Sequence, residues 1–332
     1  MSHYPLDPDL FTDKMKLEPN RAGFGRGLKA AGEANEAVVA LCADLTESTQ
    51  MHLFRDAFPN RFIEMGVAEQ NLVTVAAGMA RAGKIPFTSS YAAFSPGRNW
   101  EQIRTTIALN NQPVKIIGSH AGLYTGADGA THQMLEDIAL MRVLPNMVVI
   151  APGDSLEAEK ATKLVAENGK PTYMRMAREK IPVFSTDESP FEIGKAYVLR
   201  AGHDISLMGT GTMTYQLLAA ANILAEQGID AEVVHVPTIK PLDEETIITS
   251  ARKTGRVVTA EEAQIAGGFG SAITELLSDQ LPTPVKRLGM QDRFGESGKP
   301  TELFDYFGLT PEKIAETVKE FIENTSQYHR EY

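Results

Sequence analysis

Three short runs in this chain carry residues suited to acid–base work on a flat nitrogen heterocycle. The first is Arg61-Phe62-Ile63-Glu64-Met65-Gly66-Val67-Ala68-Glu69-Gln70-Asn71, where Glu69 follows a strand-like stretch and opens a helical one. The second is Tyr91-Ala92-Ala93-Phe94, closed by Ser95-Pro96-Gly97. The third is Gly126-Ala127-Asp128-Gly129-Ala130-Thr131-His132-Gln133. A carboxyl group hydrogen-bonded to a ring nitrogen can exchange a proton with it, best in a dry site where burial raises the carboxyl pKa. Flat aromatic faces bury a flat ring well. Glycines permit the tight turns that let Asp128 and His132 converge on one small site. Each run also has a plainer reading. An acid at a helix start complements the helix dipole, an aromatic pair packs a core, and a lone histidine is more often structural. The occurrence of all three in one chain outweighs those readings.

Taken together, the runs resemble the pyrimidine-binding half of transketolases, and the resemblance extends from about Arg21 to the C-terminus. It implies thiamine diphosphate as cofactor. That cofactor makes its own C2 carbanion once a carboxyl group at N1′ drives tautomerisation of the aminopyrimidine, and Glu69 matches that carboxyl. Phe94, with Tyr91 beside it, matches the aromatics that stack on the pyrimidine. Asp44, in Cys42-Ala43-Asp44-Leu45-Thr46, matches an acid close to the cofactor; its plainer role is to cap the following turn. In transketolases the counterpart of Asp128 reads a sugar hydroxyl, that of His120 contacts the sugar or its phosphate, and that of His132 stabilises and moves protons on the enamine-type intermediate. The catalytic set is therefore Glu69, His132 and His120. Phosphate calls for cationic, multi-donor ligands, and Arg21, Ser48 and Arg178 fall on phosphate-binding positions of the family. Their joint occurrence favours a phosphorylated sugar.

The same local spellings occur in deoxyxylulose-phosphate synthase, but His120, Asp44 and Ser48 follow the transketolase pattern, and Ala121 stands where the synthase carries arginine. A 2-oxoacid dehydrogenase β subunit has a similar length and is the other enzymatic alternative. A non-catalytic subunit is a third reading, opposed by the intact Glu69 and His132. Thiamine enzymes hold the diphosphate through a divalent cation on Gly-Asp-Gly and a later Asn, oxygen ligands suited to Mg²⁺. No Gly-Asp-Gly occurs here, so no metal ligand is expected in this chain. The resemblance implies an N-terminal, diphosphate-binding transketolase subunit as partner, which would hold Mg²⁺ (or Ca²⁺), with self-association in a heterotetramer.

The elements that must carry these residues alternate. Candidate strands are 37–43, 61–65, 85–89, 114–118 and 147–151, with helices at 21–35, 69–82, 99–109, 135–143 and 155–168 between them. This alternation implies βαβ units around a parallel sheet. Two prolines and a polar stretch within 181–190 mark a linker at 183–190. Beyond it the alternation resumes: strands 205–209, 231–236 and 256–260, helices 215–226, 243–251, 271–281 and 311–324. The expected fold is α/β with two doubly wound domains: a thiamine-diphosphate-binding pyrimidine-type domain at 17–182 and a transketolase C-terminal-like domain at 191–327. A glycine-rich turn before a helix can bind phosphate. Gly267-Gly268-Phe269-Gly270, with Glu261-Glu262, nevertheless resembles a family domain without catalytic residues and is read as packing.

The 332-residue chain has a net charge of −11, which argues against a nucleic-acid or anionic-membrane surface. No run approaches ~18 apolar residues, so no membrane span is expected. The single cysteine, Cys42, reads as a buried strand thiol and permits no internal disulfide. The cytoplasm is the expected compartment, since the N-terminus has no basic-then-apolar signal.

Overall fold

The computed structural model describes residues 4–328. The first half contains β1 (Leu17–Glu18), β2 (Val38–Cys42), β3 (Phe62–Glu64), β4 (Ile85–Tyr91), β5 (Lys115–Ser119), β6 (Val148–Ile150), β7 (Thr172–Arg175) and β8 (Ile181–Pro182). Its helices are α1 (Asn20–Ala34), α2 (His52–Ala57), α3 (Glu69–Arg81), α4 (Trp100–Gln102), α5 (Asp137–Arg142) and α6 (Ser155–Glu167). The second half contains β9 (Tyr197–Arg200), β10 (Ile205–Gly209), β11 (Ala231–His235), β12 (Thr238–Lys240), β13 (Val257–Gln264) and β14 (Val285–Met290). Its helices are α7 (Met213–Glu226), α8 (Glu244–Thr254), α9 (Phe269–Gln280), α10 (Pro300–Tyr306) and α11 (Pro311–Tyr328).

Two doubly wound sheets result. One has seven strands in the order β12-β6-β7-β5-β4-β2-β3, parallel except for β12. The other has five, β14-β13-β10-β11-β9, parallel except for β9. Strand β2 is Val-Val-Ala-Leu-Cys, buried throughout, as a central parallel strand covered on both faces must be. Helix α3 buries Leu72, Val73, Ala76, Ala77 and Ala80 on one face and leaves Gln70, Asn71 and Thr74 exposed. Helices α1 and α6 pack backbone to backbone: a methyl group on Gly23 would stand 1.7 Å from the Ser155 carbonyl oxygen. That close approach seats the start of α1, and with it Arg21, beside the first sheet.

The structure departs from the sequence expectations in several places. Strand β12 belongs to the second half of the chain yet pairs with β6 of the first, Thr238 opposite Ile150. Lys240 Nζ locks it there, donating to the carbonyls of Arg142 (2.9 Å) and Leu144 (2.6 Å). The expected linker is a docked segment: the buried Asp154 carboxylate accepts the amides of Phe184 (2.9 Å) and Ser185 (2.8 Å). Strand β4 runs on to Tyr91, two residues past the expected 85–89. The helix expected over 99–109 begins as α4 and continues as a π-helical stretch, Ile103–Ala108. Cys42 is fully buried in β2, as expected of a strand thiol. Among the described residues, no helix is long and apolar enough to cross a membrane.

Candidate functional site

In an open parallel sheet, ligand sites form outside the carboxyl ends of the strands where the winding reverses. In the first sheet the reversal lies between β2 and β4. Asp44 follows β2, Tyr91 ends β4, His120 follows β5 and Arg178 lies just beyond β7. One edge thus gathers residues separated by more than a hundred positions.

Four rings meet there. His120 stacks on Tyr91 at 3.7 Å between centroids, and Tyr91 lies nearly parallel to Phe94 at 5.9 Å. His132 stands edge-on to Phe94 (5.4 Å) and to Tyr91 (6.2 Å). Each histidine has its Nδ1 engaged by a neighbouring hydroxyl, Ser119 for His120 (2.9 Å) and Thr131 for His132 (2.8 Å). Nε2 is then the nitrogen left for a ligand. Burial first, then the charges of Arg21, Arg178 and His132, push the pKa of His120 down to about 3. His120 is therefore a neutral ring beside two guanidinium groups.

Those guanidinium groups form the second feature. Arg21 Nε donates to the Arg178 carbonyl at 3.0 Å, and Arg21 Nη1 donates to the Ser48 carbonyl. Arg178 donates to the Thr125 carbonyl (2.8 Å) and stands 3.4 Å from Asp128. Burial, and then the neighbouring Arg178, lower the pKa of Arg21. Arg178 also stands 3.6 Å from Glu179, and the two guanidinium groups together offer multi-donor ligands suited to an anion. Asp44 and His120 both hold positive φ, +58° and +57°. Such backbone conformations are uncommon for residues other than glycine and cluster at functional sites.

Glu69 lies at the start of α3 and is only 5 % exposed. It lines an open cleft of about 420 Å³ with Val67, Gln70, Thr74 and Arg98. Asn99 Nδ2 bridges the Glu69 carbonyl (2.8 Å) and Ser95 Oγ (3.1 Å), tying α3 to the loop that carries Phe94. Neither Glu69 nor Asp44 makes a side-chain hydrogen bond or ring contact with the four-ring cluster among the described residues. The structure therefore joins Tyr91, Phe94, His120 and His132 in one group and Arg21, Ser48, Asp128 and Arg178 in a second. The side chains of Glu69 and Asp44 belong to neither group by a direct contact among the described residues.

Two supporting groups escape a reading of the motifs. Glu64, at the end of β3, accepts the amides of Asp44 (2.7 Å) and Gly66 (3.0 Å) and the Thr46 hydroxyl (2.9 Å), so it shapes the turns on either side. An acid inside the otherwise apolar Phe62-Ile63-Glu64-Met65 was the available signal. Arg175, buried at the end of β7, pairs with buried Asp137 at 2.8 Å, and the Tyr173 hydroxyl donates to the same carboxylate at 2.7 Å. Nothing local in the sequence links those three. Among the described residues, no group of three or more His, Cys, Asp or Glu side chains is disposed to hold a metal ion.

The model of the transketolase pyrimidine-binding domain matches residues 19–183, and that of the transketolase C-terminal domain matches residues 194–314. A Methanocaldococcus jannaschii protein that carries the name of a transketolase C-terminal section is 45% identical over 90% of this chain and 95% of its own length. A 6-deoxy-6-sulfo-D-fructose transketolase subunit from a Clostridium species is 41% identical, over 88% of this chain and 90% of that subunit. Among solved structures, a split gene transketolase, described as an inactive beta4 tetramer, superimposes with a TM-score of 0.86 at 43% identity, covering 92% of this chain and 98% of that one.

Proposed function

This chain belongs to the transketolase family, whose members depend on thiamine diphosphate, and from that premise we propose that it is the pyrimidine-binding subunit of a split transketolase. Joined to a diphosphate-binding partner, it transfers a two-carbon ketol unit from a ketose phosphate to an aldose phosphate.

The residues present fit the pyrimidine end of the cofactor. Glu69 is a nearly buried carboxyl on a helix start, and Tyr91 and Phe94 offer partly exposed aromatic faces on the adjoining strand and loop. When bound, thiamine diphosphate supplies the nucleophilic carbon. Glu69 holds the proton shared with the pyrimidine ring nitrogen. Phe94 and Tyr91 bury the ring. His132 moves a proton at its Nε2, the nitrogen its Thr131 contact leaves over. His120, kept neutral, offers Nε2 to a sugar hydroxyl without adding charge. Asp128 takes a second hydroxyl. Arg21 and Arg178 hold the phosphate with Ser48, and Asp44 lines the cofactor side of the edge. The metal, Mg²⁺ or Ca²⁺, belongs to the partner, and two copies of each subunit make the assembly. The domain division follows the same reading, with 17–182 forming the site and 191–327 supporting it.

The observation that carries this reading is the meeting of an aromatic platform and a paired-arginine anion site on one sheet edge. The test is to copurify this chain with its native partner and assay the complex with xylulose 5-phosphate, ribose 5-phosphate, thiamine diphosphate and Mg²⁺. Ketol transfer by the complex, absent from the isolated chain, is expected. Turnover of pyruvate with release of CO₂ would favour a synthase-like or 2-oxoacid dehydrogenase reaction instead. A chain that elutes alone and is inert towards sugars would overturn the proposal.

A further inference from the structure

The turn that carries Asp128 and His132 is built between the two halves of the molecule. The amide of Gln264, the last residue of β13, donates to the Leu135 carbonyl at 2.8 Å. Tyr124 meets Phe304 of α10 edge-on at 4.8 Å. Between these anchors lies Gln133, 3 % exposed. Its Nε2 donates twice, to the Gly126 carbonyl at the start of the turn (3.0 Å) and to the Glu296 carbonyl in the loop between β14 and α10 (2.9 Å). Its Oε1 has no hydrogen-bond partner among the described residues, so the two donations are the whole polar hold of this amide. The space is tight: a methyl group on Gly295 would stand 1.8 Å from Oε1. The amides of His132 and Gln133 both donate to the Gly129 carbonyl at 3.0 Å, so a shift of Gln133 is passed directly to its neighbour.

We infer that Gln133 is a positioning residue through which the C-terminal half sets the placement of Asp128 and His132. The second half then acts on sugar binding without touching the sugar. This rests on the roles proposed above for Asp128 and His132. Buried amide donors are costly to leave unmatched, and small displacements of aligned groups cost rate out of proportion to their size. One side chain bonded to carbonyls of both halves is therefore a sensitive link.

Two variants test it in the full-length chain. Gln133→Met keeps the volume and removes both donors. Gly295→Ala leaves Gln133 intact and displaces its amide from the second half; the obstacle is the far end of a flexible side chain, so the fold stands. Hydrogen exchange is measured first. In both variants the amides of residues 126–133 are expected to exchange at least about tenfold faster, while those of β2 and β10 are unchanged. In the complex with the partner subunit, KM for the ketose phosphate is expected to rise about tenfold, more than kcat falls, with thiamine diphosphate affinity unchanged. Unchanged exchange in both variants, or loosening spread evenly over both halves, would overturn the inference. So would an equal loss of cofactor and sugar affinity. A wild-type complex inert towards sugar phosphates would instead overturn the reading of Asp128 and His132, and the exchange data would still decide whether Gln133 holds the turn.

Discussion

The two sheets reverse their winding in the same way, the first between β2 and β4 and the second between β10 and β13. Each reversal opens a crevice at the carboxyl ends of its strands. In the first half that crevice is bordered by Asp44 and Tyr91, and a separate open cleft of about 420 Å³ runs along the start of α3 at Glu69. In the second half it is filled. Arg175 donates to the Glu262 carbonyl (3.0 Å), and the Ala151 carbonyl accepts the Gly211 amide (3.1 Å). The void left between Asn20, Pro152, Thr212 and Glu262 is about 10 Å³, too small to matter as a ligand site. The amides that open α9, a ready anion site, are taken by the Glu261 carboxylate at 2.7 and 2.8 Å. The same topology thus gathers the ring cluster and the two arginines, the proposed reaction site, in one half and makes an adhesive in the other. Topology supplies the crevice; the side chains that the neighbouring half inserts decide whether it stays open.

The largest separation of the two edges should come from His132→Ala. In the reconstituted complex it should lower kcat by about 10²–10⁴-fold, the range for a lost acid–base group, with little change in Tm. An unchanged kcat would remove His132 from the chemistry. Arg175→Met should do the reverse. It leaves Asp137 buried without its cation and should destabilise the chain by about 3–5 kcal/mol in urea unfolding. Restoration of most of that loss by Asp137→Leu in the same chain would confirm that the pair is glue. Next in size is Arg178→Ala: loss of a charge-assisted hydrogen bond, about 1.5–3 kcal/mol, should raise KM for the phosphorylated sugar and leave kcat less affected. An unphosphorylated ketose should not sense the change.

The pH dependence of stability gives a further contrast, and the two edges have opposite signs. Burial and the nearby cations hold His120 at about 3, against an ordinary 6.5. Between those values the unfolded chain binds a proton that the folded chain does not. The contribution of this group is therefore complete above pH 6.5 and lost as pH falls through that window. Burial pushes Glu261 and Glu262 up to about 7, from an ordinary 4.5. There the folded chain binds the extra protons, so their contribution is present below pH 4.5 and lost as pH rises towards 7. Urea titrations across this range should show a shallower acid-side loss for His120→Asn and a shallower loss towards neutrality for Glu262→Gln.

Much of this arrangement is legible in the chain because its signals are local. Strand β2 is an unbroken apolar run, and the Asp128 and His132 motif sits in one short turn. The parts that escape are held by distant partners. Strand β12, Thr238-Ile239-Lys240, is a short polar edge strand whose pairing with β6 no local pattern announces. Strand β7 ends in a buried arginine held by Asp137 and the Glu262 carbonyl, both distant in sequence. Gln133 reads as a motif residue, but what it grips lies 163 positions away. No local pattern announces the π-helical stretch Ile103–Ala108 that follows α4.

The most direct measurement sets one acid from each edge side by side: kcat of Glu69→Gln and of Glu261→Gln in the reconstituted complex, with Tm recorded for both. The expected result is a loss of at least about 10²-fold for Glu69→Gln at near wild-type stability, with Glu261→Gln retaining kcat and losing stability. Wild-type turnover by Glu69→Gln, or an equal loss of kcat in both variants, would contradict the division of the molecule into one working edge and one adhesive edge.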